Sequence, residues 1–406
     1  MNILHINQSD LVGGAAIASY RLHNALIEAG VQSTLLVGKK HSNSHLVDTV
    51  YRRTLIEKIL RKGLFKPLGL NYIDLIASFD IPQHLFYQQA SVLNFHNLHT
   101  GYFNYLAVSA LTRHKPAVFT LHDMWSFTGH CAYSLDCDRW KYGCGKCPHP
   151  NIYPEIRMDN TRVEWKLKQW IYQHADLTIV TPSTWLTDLV KQSMLKHLPL
   201  HHIPNGIDIH LYQPLDRSNC RLQLGIPDNK KVLMFGAEII TDARKGSDLL
   251  HQALQRLPDS LKRDTVLLTL GKGSETLAEA VGIATVNLGY VSDEQRKAVA
   301  YSAADLFVFP TRNDNLPLML QESMACGTPM VSFRVGGVPD LVRPGITGYL
   351  AQPEDVNDMT DGIVQLLEDD QLRKTMSSYC REIAVEEYSL ALQVSRYMQL
   401  YEKLAQ

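Results

Sequence analysis

Short apolar runs alternate along the chain with stretches in which apolar residues recur three and four positions apart. The runs are typical of buried strands, and the wider spacing is typical of helices that pack on one face. In the first half the pattern predicts strands at residues 1–6, 31–38, 92–95, 117–121 and 177–181. A helix is predicted at residues 15–29. This alternation predicts βαβ units around a parallel sheet.

The same rhythm begins again at Lys231. Strands are predicted at residues 232–236, 266–270, 285–288, 306–310 and 330–333, with helices at 247–256, 293–303 and 318–326. A turn-rich segment, residues 203–208, separates the two halves and contains Pro204, Asn205 and Gly206. We therefore predict an N-terminal Rossmann-like domain over 1–204 and a second over 205–388, with a last helix, 389–406, packing back on the first domain.

Composition narrows the function classes. The chain has 406 residues, 45% of them hydrophobic, and 40 basic residues against 41 acidic ones. This near balance gives no reason to expect a nucleic-acid partner. No run of eighteen apolar residues occurs, and MNILHINQSD lacks the basic start of a signal peptide, so a cytoplasmic protein is expected.

Two acids flank the start of a predicted helix in the second half. Asp314 follows the strand at 306–310, and Glu322 lies eight positions later inside the helix. In open α/β sheets ligands bind beyond the carboxyl ends of the strands, which is where Asp314 lies. Paired carboxylates there suit vicinal hydroxyl groups, and the helix N-terminus between them favours phosphate.

Two further loops offer charge or backbone donors to an anion. Arg244 and Lys245 stand at the entry of a helix, where cations disfavour the helix dipole, so a bound diphosphate would explain them. Gly13 and Gly14 join the first strand to its helix, and such a loop lets backbone N–H groups approach a phosphate. The glycine pair fits a simple tight turn equally well.

Together these motifs resemble a known family. The chain is similar over nearly its whole length to the retaining glycosyltransferases of family 4, which have the GT-B fold. The resemblance rests on the acid pair and the motifs Ala-Cys-Gly-Thr-Pro (325–329), Lys245-Gly246, Pro-Asn-Gly-Ile-Asp (204–208), Gly336-Gly337, residues 345–350 and His122-Asp123. It implies two Rossmann-like domains with parallel sheets facing a central cleft.

The resemblance also implies roles for individual residues. Glu322 would bind the donor ribose, Asp314 the donor sugar, and Lys245 would neutralise the diphosphate leaving group without a catalytic metal. His122, at the end of a strand, would face the donor sugar. The remaining expected substrate-binding positions are Gly13, Gly14, Asn205, Arg244, Asn315 and Leu316.

Two positions depart from the family pattern. The first acid is usually Glu, and Asp314 is one methylene shorter. The family's usual Arg after the first strand of the second domain is missing, because Gly236 is followed by Ala237. Arg244 is the candidate replacement.

Four of the seven cysteines, Cys131, Cys137, Cys144 and Cys147, lie within seventeen positions. We predict that they bind one structural Zn²⁺, since the segment has little apolar core of its own. Two disulfides, or reduced cysteines that pack as small apolar groups, would also account for them.

Residues 51–70 form a basic, amphipathic stretch in the first domain. It could lie on an anionic membrane surface at the inner face, where lipid-linked acceptors occur, and it also fits an ordinary packed helix.

The sequence thus predicts a retaining glycosyltransferase of polysaccharide or glycoconjugate biosynthesis. The donor would be a UDP-, GDP- or ADP-sugar, and the acceptor a glycan, a lipid-linked sugar or a small molecule. A nucleotide-sugar epimerase and a non-catalytic nucleotide-sugar binding protein are the alternatives.

Overall fold

The computed structural model describes residues 1–50, 54–60, 63, 70–273, 277 and 282–406. These residues divide into two compact units. The first comprises Met1–Pro204 and Gln393–Gln406, and the second comprises Asn205–Leu392. Most of the predicted membrane-contact stretch, including Arg52, Arg53, Arg61, Lys62 and Lys66, lies outside the described residues.

The first unit contains a seven-stranded sheet in the order β3-β2-β1-β4-β5-β6-β7, and every neighbouring pair is parallel. Its strands are β1 (Asn2–Ser9), β2 (Gln32–Lys39), β3 (Val47–Thr49), β4 (Val92–Phe95), β5 (Ala117–Thr120), β6 (Leu177–Thr181) and β7 (Leu200–His202). The sequence did not predict β3 and β7, which have three residues each and carry polar side chains.

Helices cover this sheet. The α-helices of the first unit are Gly14–Glu28, Thr54–Leu60, Leu85–Gln89, Val108–Leu111, Thr161–Gln173, Thr184–Gln192 and, from Gln393 onward, Leu390–Ala405. Short 3-10 helices occur at Ile76–Gln83, Tyr105–Ala107, Trp125–Phe127 and Arg139–Lys141. The last α-helix contacts the sheet through Tyr401, whose hydroxyl accepts from Asn94 at 2.7 Å, and Tyr397, which is 2.9 Å from Thr120 Oγ1.

The second unit contains a six-stranded parallel sheet in the order β10-β9-β8-β11-β12-β13. Its strands are β8 (Lys231–Ile239), β9 (Thr265–Lys272), β10 (Ala284–Asn287), β11 (Leu306–Phe309), β12 (Met330–Phe333) and β13 (Gly348–Ala351). The sequence did not predict β13. Because β8 and β11 are neighbours, the loops after them emerge side by side.

Helices also cover the second sheet. They are Arg217–Leu224, Ser247–Gln255, Asp259–Asp264, Glu294–Ala303, Leu318–Ala325, Val338–Leu341, Val356–Glu368 and Asp370–Tyr388, with a 3-10 turn at Ala243–Lys245. Both sheets are buried between their helices, as the parallel arrangement requires. The prediction of two Rossmann-like α/β units is confirmed. No helix among the described residues is long and apolar enough to cross a bilayer.

Candidate active site

In the second unit, the loop after β8 and the loop after β11 are held together by backbone contacts. The backbone N–H of Arg312 donates to the carbonyl of Arg244 at 2.8 Å, and Thr311 Oγ1 lies 3.1 Å from the same carbonyl oxygen. Gly246 has a φ of 70°, and a Cβ there would lie 1.9 Å from the carbonyl oxygen of Pro310. Only glycine permits this approach, so Lys245-Gly246 is fixed against the end of β11.

These contacts assemble a charge cluster around Asp314. Its Oδ1 accepts from Arg244 at 2.8 Å, and its Oδ2 accepts from Lys245 at 2.8 Å and from the Thr311 hydroxyl at 2.9 Å. Gly337 N–H donates to the Asp314 carbonyl at 3.0 Å, and Gly336 leaves room for it. The predicted sugar-binding acid and the predicted diphosphate-binding cations thus form one group.

Burial and charge act against each other in this cluster. The Asp314 and Lys245 side chains are only 13% and 17% exposed. Burial acts to raise the pKa of Asp314, but the charges and hydrogen bonds of Lys245 and Arg244 outweigh it and hold that pKa below its usual value. Burial lowers the pKa of Lys245, and Asp314 counteracts this only in part. Arg244 also lies 3.5 Å from Asp242, so the group holds two cations and two carboxylates.

Glu322 lies in a different environment from Asp314. It is buried within the helix Leu318–Ala325, and the hydroxyl of Tyr301 donates to its Oε2 at 3.1 Å. The neighbouring Gln321 donates to the carbonyl of Asn205 at 2.6 Å, which ties this helix to the 204–208 motif. Asn315 and Leu316 are also buried. Glu322 is therefore a buried acid on the helix that follows the Asp314 loop, and it is not a surface charge.

In the first unit, the predicted His122 lies just beyond β5 among other titratable side chains. Its Nε2 is hydrogen-bonded to Nδ1 of His96 at 3.0 Å, and the two ring planes are inclined by 30°. His99 contacts Asp123 at 2.9 Å. A small pocket here is lined by His96, His99, His122, Asp123 and Trp125, among others. Burial lowers the pKa of His122 to about 4, so the imidazole is neutral at pH 7.

The sequence did not single out His96 and His99. The available signal was His-Asn-Leu-His directly after the buried run 92–95, because that position is the carboxyl end of a strand next to the one that carries His122.

The loop of Gly13 and Gly14 lies at the carboxyl end of β1. Gly13 has a φ of 93° and precedes the helix Gly14–Glu28, whose first turn has no side-chain cap. The loop is anchored by Asp10, which accepts from the backbone N–H groups of His41 and Ser42. The geometry agrees with both readings of the glycine pair, a tight turn and an open helix N-terminus.

The structure does not support the predicted zinc site. Cys131, Cys137, Cys144 and Cys147 are free thiols, and the described residues contain no group of three or more His, Cys, Asp or Glu side chains that could hold a metal ion. The sulfurs have separate partners: Gly129 N–H donates to Cys144 Sγ, and His130 Nε2 is 3.2 Å from Cys147 Sγ. Burial raises the pKa of Cys131 to about 12.

Comparison with known proteins identifies the family. Residues 12–211 match the family described as Glycosyltransferase Family 4, and residues 216–383 match Glycosyl transferases group 1. The chain is 29% identical over 365 residues to a putative colanic acid biosynthesis glycosyl transferase of Escherichia coli, covering 84% of this chain and 85% of that protein.

Solved structures share the fold. Sucrose-phosphate synthase from Thermosynechococcus elongatus superposes with a TM-score of 0.74 at 20% identity, over 100% of this chain and 99% of that one. Anabaena HepE in complex with UDP-glucose gives 0.71 at 16% identity, over 99% and 100%. The chain therefore belongs to the group 1, family 4 glycosyltransferases and has their GT-B fold of two Rossmann-like domains.

Proposed function

We propose that this glycosyltransferase is a retaining enzyme that moves a sugar from a nucleotide-sugar donor to a hydroxyl acceptor. The observation that carries the proposal is the cluster of Lys245, Arg244 and Asp314 at the carboxyl ends of β8 and β11. Two fixed cations beside the Asp314 carboxylate suit a diphosphate next to a sugar hydroxyl.

The second unit would bind the donor. Glu322 would accept from the ribose hydroxyls, Asp314 from a hydroxyl of the sugar, and Lys245 with Arg244 would contact the diphosphate. Asn315, Leu316 and the Asn205 backbone would shape the pocket around these groups. Glu322 is buried, and the hydroxyl of Tyr301 donates to its Oε2.

In the proposed reaction, the bond between the anomeric carbon and the diphosphate oxygen breaks, and the acceptor oxygen bonds to the same face of that carbon. The acceptor proton passes to the leaving diphosphate. Lys245 and Arg244 stabilise the negative charge that develops on the diphosphate, which is the role that a divalent cation would otherwise fill. His122, neutral at pH 7, would donate a hydrogen bond to the donor sugar.

The first unit would serve the acceptor, with Gly13 and Gly14 lining its site. Polysaccharide or glycoconjugate biosynthesis is supported by the E. coli relative's name. A cytoplasmic protein that contacts the inner face of the membrane through residues 51–70 fits this role. The described part of that stretch exposes Leu55, Ile56 and Ile59 by 71%, 49% and 63%. Apolar side chains within a basic segment suit a bilayer with anionic lipids.

A thermal-shift screen of UDP-, GDP- and ADP-sugars tests donor binding. A correct donor at one hundred times its dissociation constant stabilises the protein by about 2.7 kcal/mol. Glu322→Gln, which keeps a partner for Tyr301, should lose most of that shift. Glu386→Ala, which removes an exposed acid of the same unit, should keep it.

Product analysis then tests the reaction. Proton NMR of the product should show the anomeric configuration of the donor. Inversion would contradict the retaining mechanism. Interconversion of the donor sugar without an acceptor would instead indicate an epimerase, and binding without any turnover would indicate a non-catalytic binding protein.

A further inference from the structure

Three histidines form a hydrogen-bonded series across three adjacent strands of the first unit. His5 lies in β1, His96 follows β4 and His122 follows β5, and β1, β4 and β5 are neighbours in the sheet. His5 pairs in register with Asn94, and His96 lies two positions further on the same face. The sheet therefore brings the three imidazoles into one row.

The contacts in this row are all between ring nitrogens. His5 Nδ1 is 3.0 Å from His96 Nε2, and His96 Nδ1 is 3.0 Å from His122 Nε2. The ring centroids are 5.3 Å apart at both steps, and the ring planes are inclined to each other by 21° and 30°, so the rings meet edge to edge. His96 thus uses both nitrogens within the row, and His5 uses one.

All three imidazoles are neutral at pH 7. Burial lowers the pKa of His5 and of His96 well below the usual value, and it lowers the pKa of His122 to about 4. A neutral imidazole carries a single N–H, so it donates from one nitrogen and accepts at the other. His96 must then donate to one neighbour and accept from the other, which leaves two possible directions for the whole row.

The far end of the row decides between these directions. His5 Nε2 is buried and has no hydrogen-bond partner among the residues that the structure describes. If the protons pointed from His122 toward His5, this nitrogen would carry a buried N–H without an acceptor, the rarer kind of unpaired group. In the opposite direction His5 donates from Nδ1, His96 donates from Nδ1, and only a lone pair on His5 remains unpaired.

We propose that His5 and His96 are positioning residues that hold His122 in the Nδ1–H tautomer. His96 donates to Nε2 of His122, and the proton of His122 is therefore on Nδ1. This gives the imidazole a fixed donor nitrogen, as the hydrogen bond to a sugar requires. The catalytic consequence rests on the proposed function, whereas the tautomer itself does not.

Long-range proton–nitrogen NMR of the full-length, histidine-labelled protein at pH 7.5 tests the tautomer directly. All three histidines should show the Nδ1–H pattern, each assigned by its own substitution. In His96→Leu, the His122 signal should move toward the Nε2–H form or a mixture. His96→Gln retains one donor and one acceptor and should preserve the Nδ1–H form of His122. His23→Leu is the matched control, because His23 is buried beside His5 but is bonded to Ser33.

An Nε2–H tautomer for His122 in the unsubstituted protein would overturn the proposal, and the His122 substitution serves only to assign that signal. An unchanged His122 signal in a folded His96→Leu protein would overturn it as well. In assays of sugar transfer, His96→Leu should lower kcat about 10²-fold with little change in the donor KM, and His96→Gln should restore most of it. If no donor is turned over, the proposed function fails while the NMR result still decides the tautomer.

Discussion

Replacing Lys245 with alanine is the most direct test of the charge cluster. The ammonium lies 2.8 Å from Asp314 Oδ2, and both side chains are mostly buried. At an effective dielectric constant near 20, one pair of unit charges at this distance attracts by roughly 6 kcal/mol. A diphosphate oxygen in the same place would be attracted similarly, which sets an upper bound on the contribution of Lys245.

The expected loss is smaller than this bound because Arg244 remains in the cluster. Removing one preorganised group that stabilises developing charge lowers kcat by about 10²–10³-fold, or roughly 3–4 kcal/mol. The fold should suffer less. Asp314 keeps Arg244 and Thr311 as partners, so the free energy of unfolding should fall by only about 1.5 kcal/mol, the contribution of one hydrogen bond to a charged group.

The assay is release of nucleoside diphosphate at saturating donor and acceptor, with urea unfolding measured in parallel. Lys230→Ala is the control, because Lys230 belongs to the same unit and its ion pair with Asp264 is a looser 3.8 Å. A Lys245→Ala enzyme with kcat within threefold of the unsubstituted value would refute the leaving-group role. A raised donor KM with unchanged kcat would show that Lys245 binds ground state and transition state equally.

Two further predictions follow from other parts of the chain. The pKa of Asp314 is held below the usual aspartate value of about 3.9, so its pairing stabilises the fold above about pH 4, and this stability is lost as pH falls through the lower folded pKa. The unfolding free energy should therefore fall less between pH 5 and about pH 2 in Asp314→Asn than in the unsubstituted protein. Urea titrations that show the same fall in both proteins would contradict this. For the membrane contact, the double substitution Leu55→Glu and Ile59→Glu should abolish co-sedimentation with anionic phosphatidylglycerol vesicles, whereas Leu222→Glu, at a site 78% exposed in the other unit, should not. Equal sedimentation of both variants would show that residues 51–70 do not bind the membrane.

The sequence predicts the long buried strands well because burial on both faces produces continuous apolar runs. β4, β6 and β12 have the predicted bounds. β3 and β7 have only three residues each, and their pairing comes from neighbouring strands and not from their own composition. Local patterns cannot reveal such strands.

The site was predicted in its parts but not in its contacts. Family motifs pointed to Lys245, Arg244 and Asp314 separately, and the ion pairs between them join residues about seventy positions apart. His5 was missed because a histidine within an apolar run has no signature of its own, and His96 was missed although it directly follows the apolar run 92–95. The cysteine spacing suggested zinc, but spacing does not show where each sulfur points, and the sulfurs of Cys144 and Cys147 have other partners.

Lys168 is a buried cation that supports the turn after His122 and Asp123. It lies in the helix Thr161–Gln173 and donates to the carbonyls of Trp125 and Thr128 at 2.7 and 3.0 Å. Its ammonium is 3.5 Å from the centre of the Trp125 ring. Burial lowers the pKa of Lys168 to about 8, and the charge of Glu164 offsets this only in part. The Lys168 ammonium, which donates hydrogen bonds to this turn, therefore titrates close to neutral pH.

The sign of the resulting pH dependence can be worked out. An unfolded lysine has a pKa near 10.4, so between about pH 8 and pH 10 the unfolded chain binds a proton that native Lys168 has released. The contribution of Lys168 to the free energy of unfolding therefore rises between about pH 8 and pH 10. The rise amounts to about 1.4 kcal/mol per pH unit once Lys168 is deprotonated in the native state.

The measurement must separate Lys168 from its neighbours. Burial raises the pKa values of Cys131 and Cys144 to about 12 and about 11, so these thiols make stability fall with pH over the same range. Their effect is common to the unsubstituted protein and to Lys168→Met, and it largely cancels in the difference between the two. That difference in unfolding free energy should move in favour of the unsubstituted protein by roughly 1–2 kcal/mol between pH 8 and pH 9.5. A constant difference would mean that Lys168 stays charged, and that Glu164, the two carbonyls and the Trp125 ring together outweigh its burial.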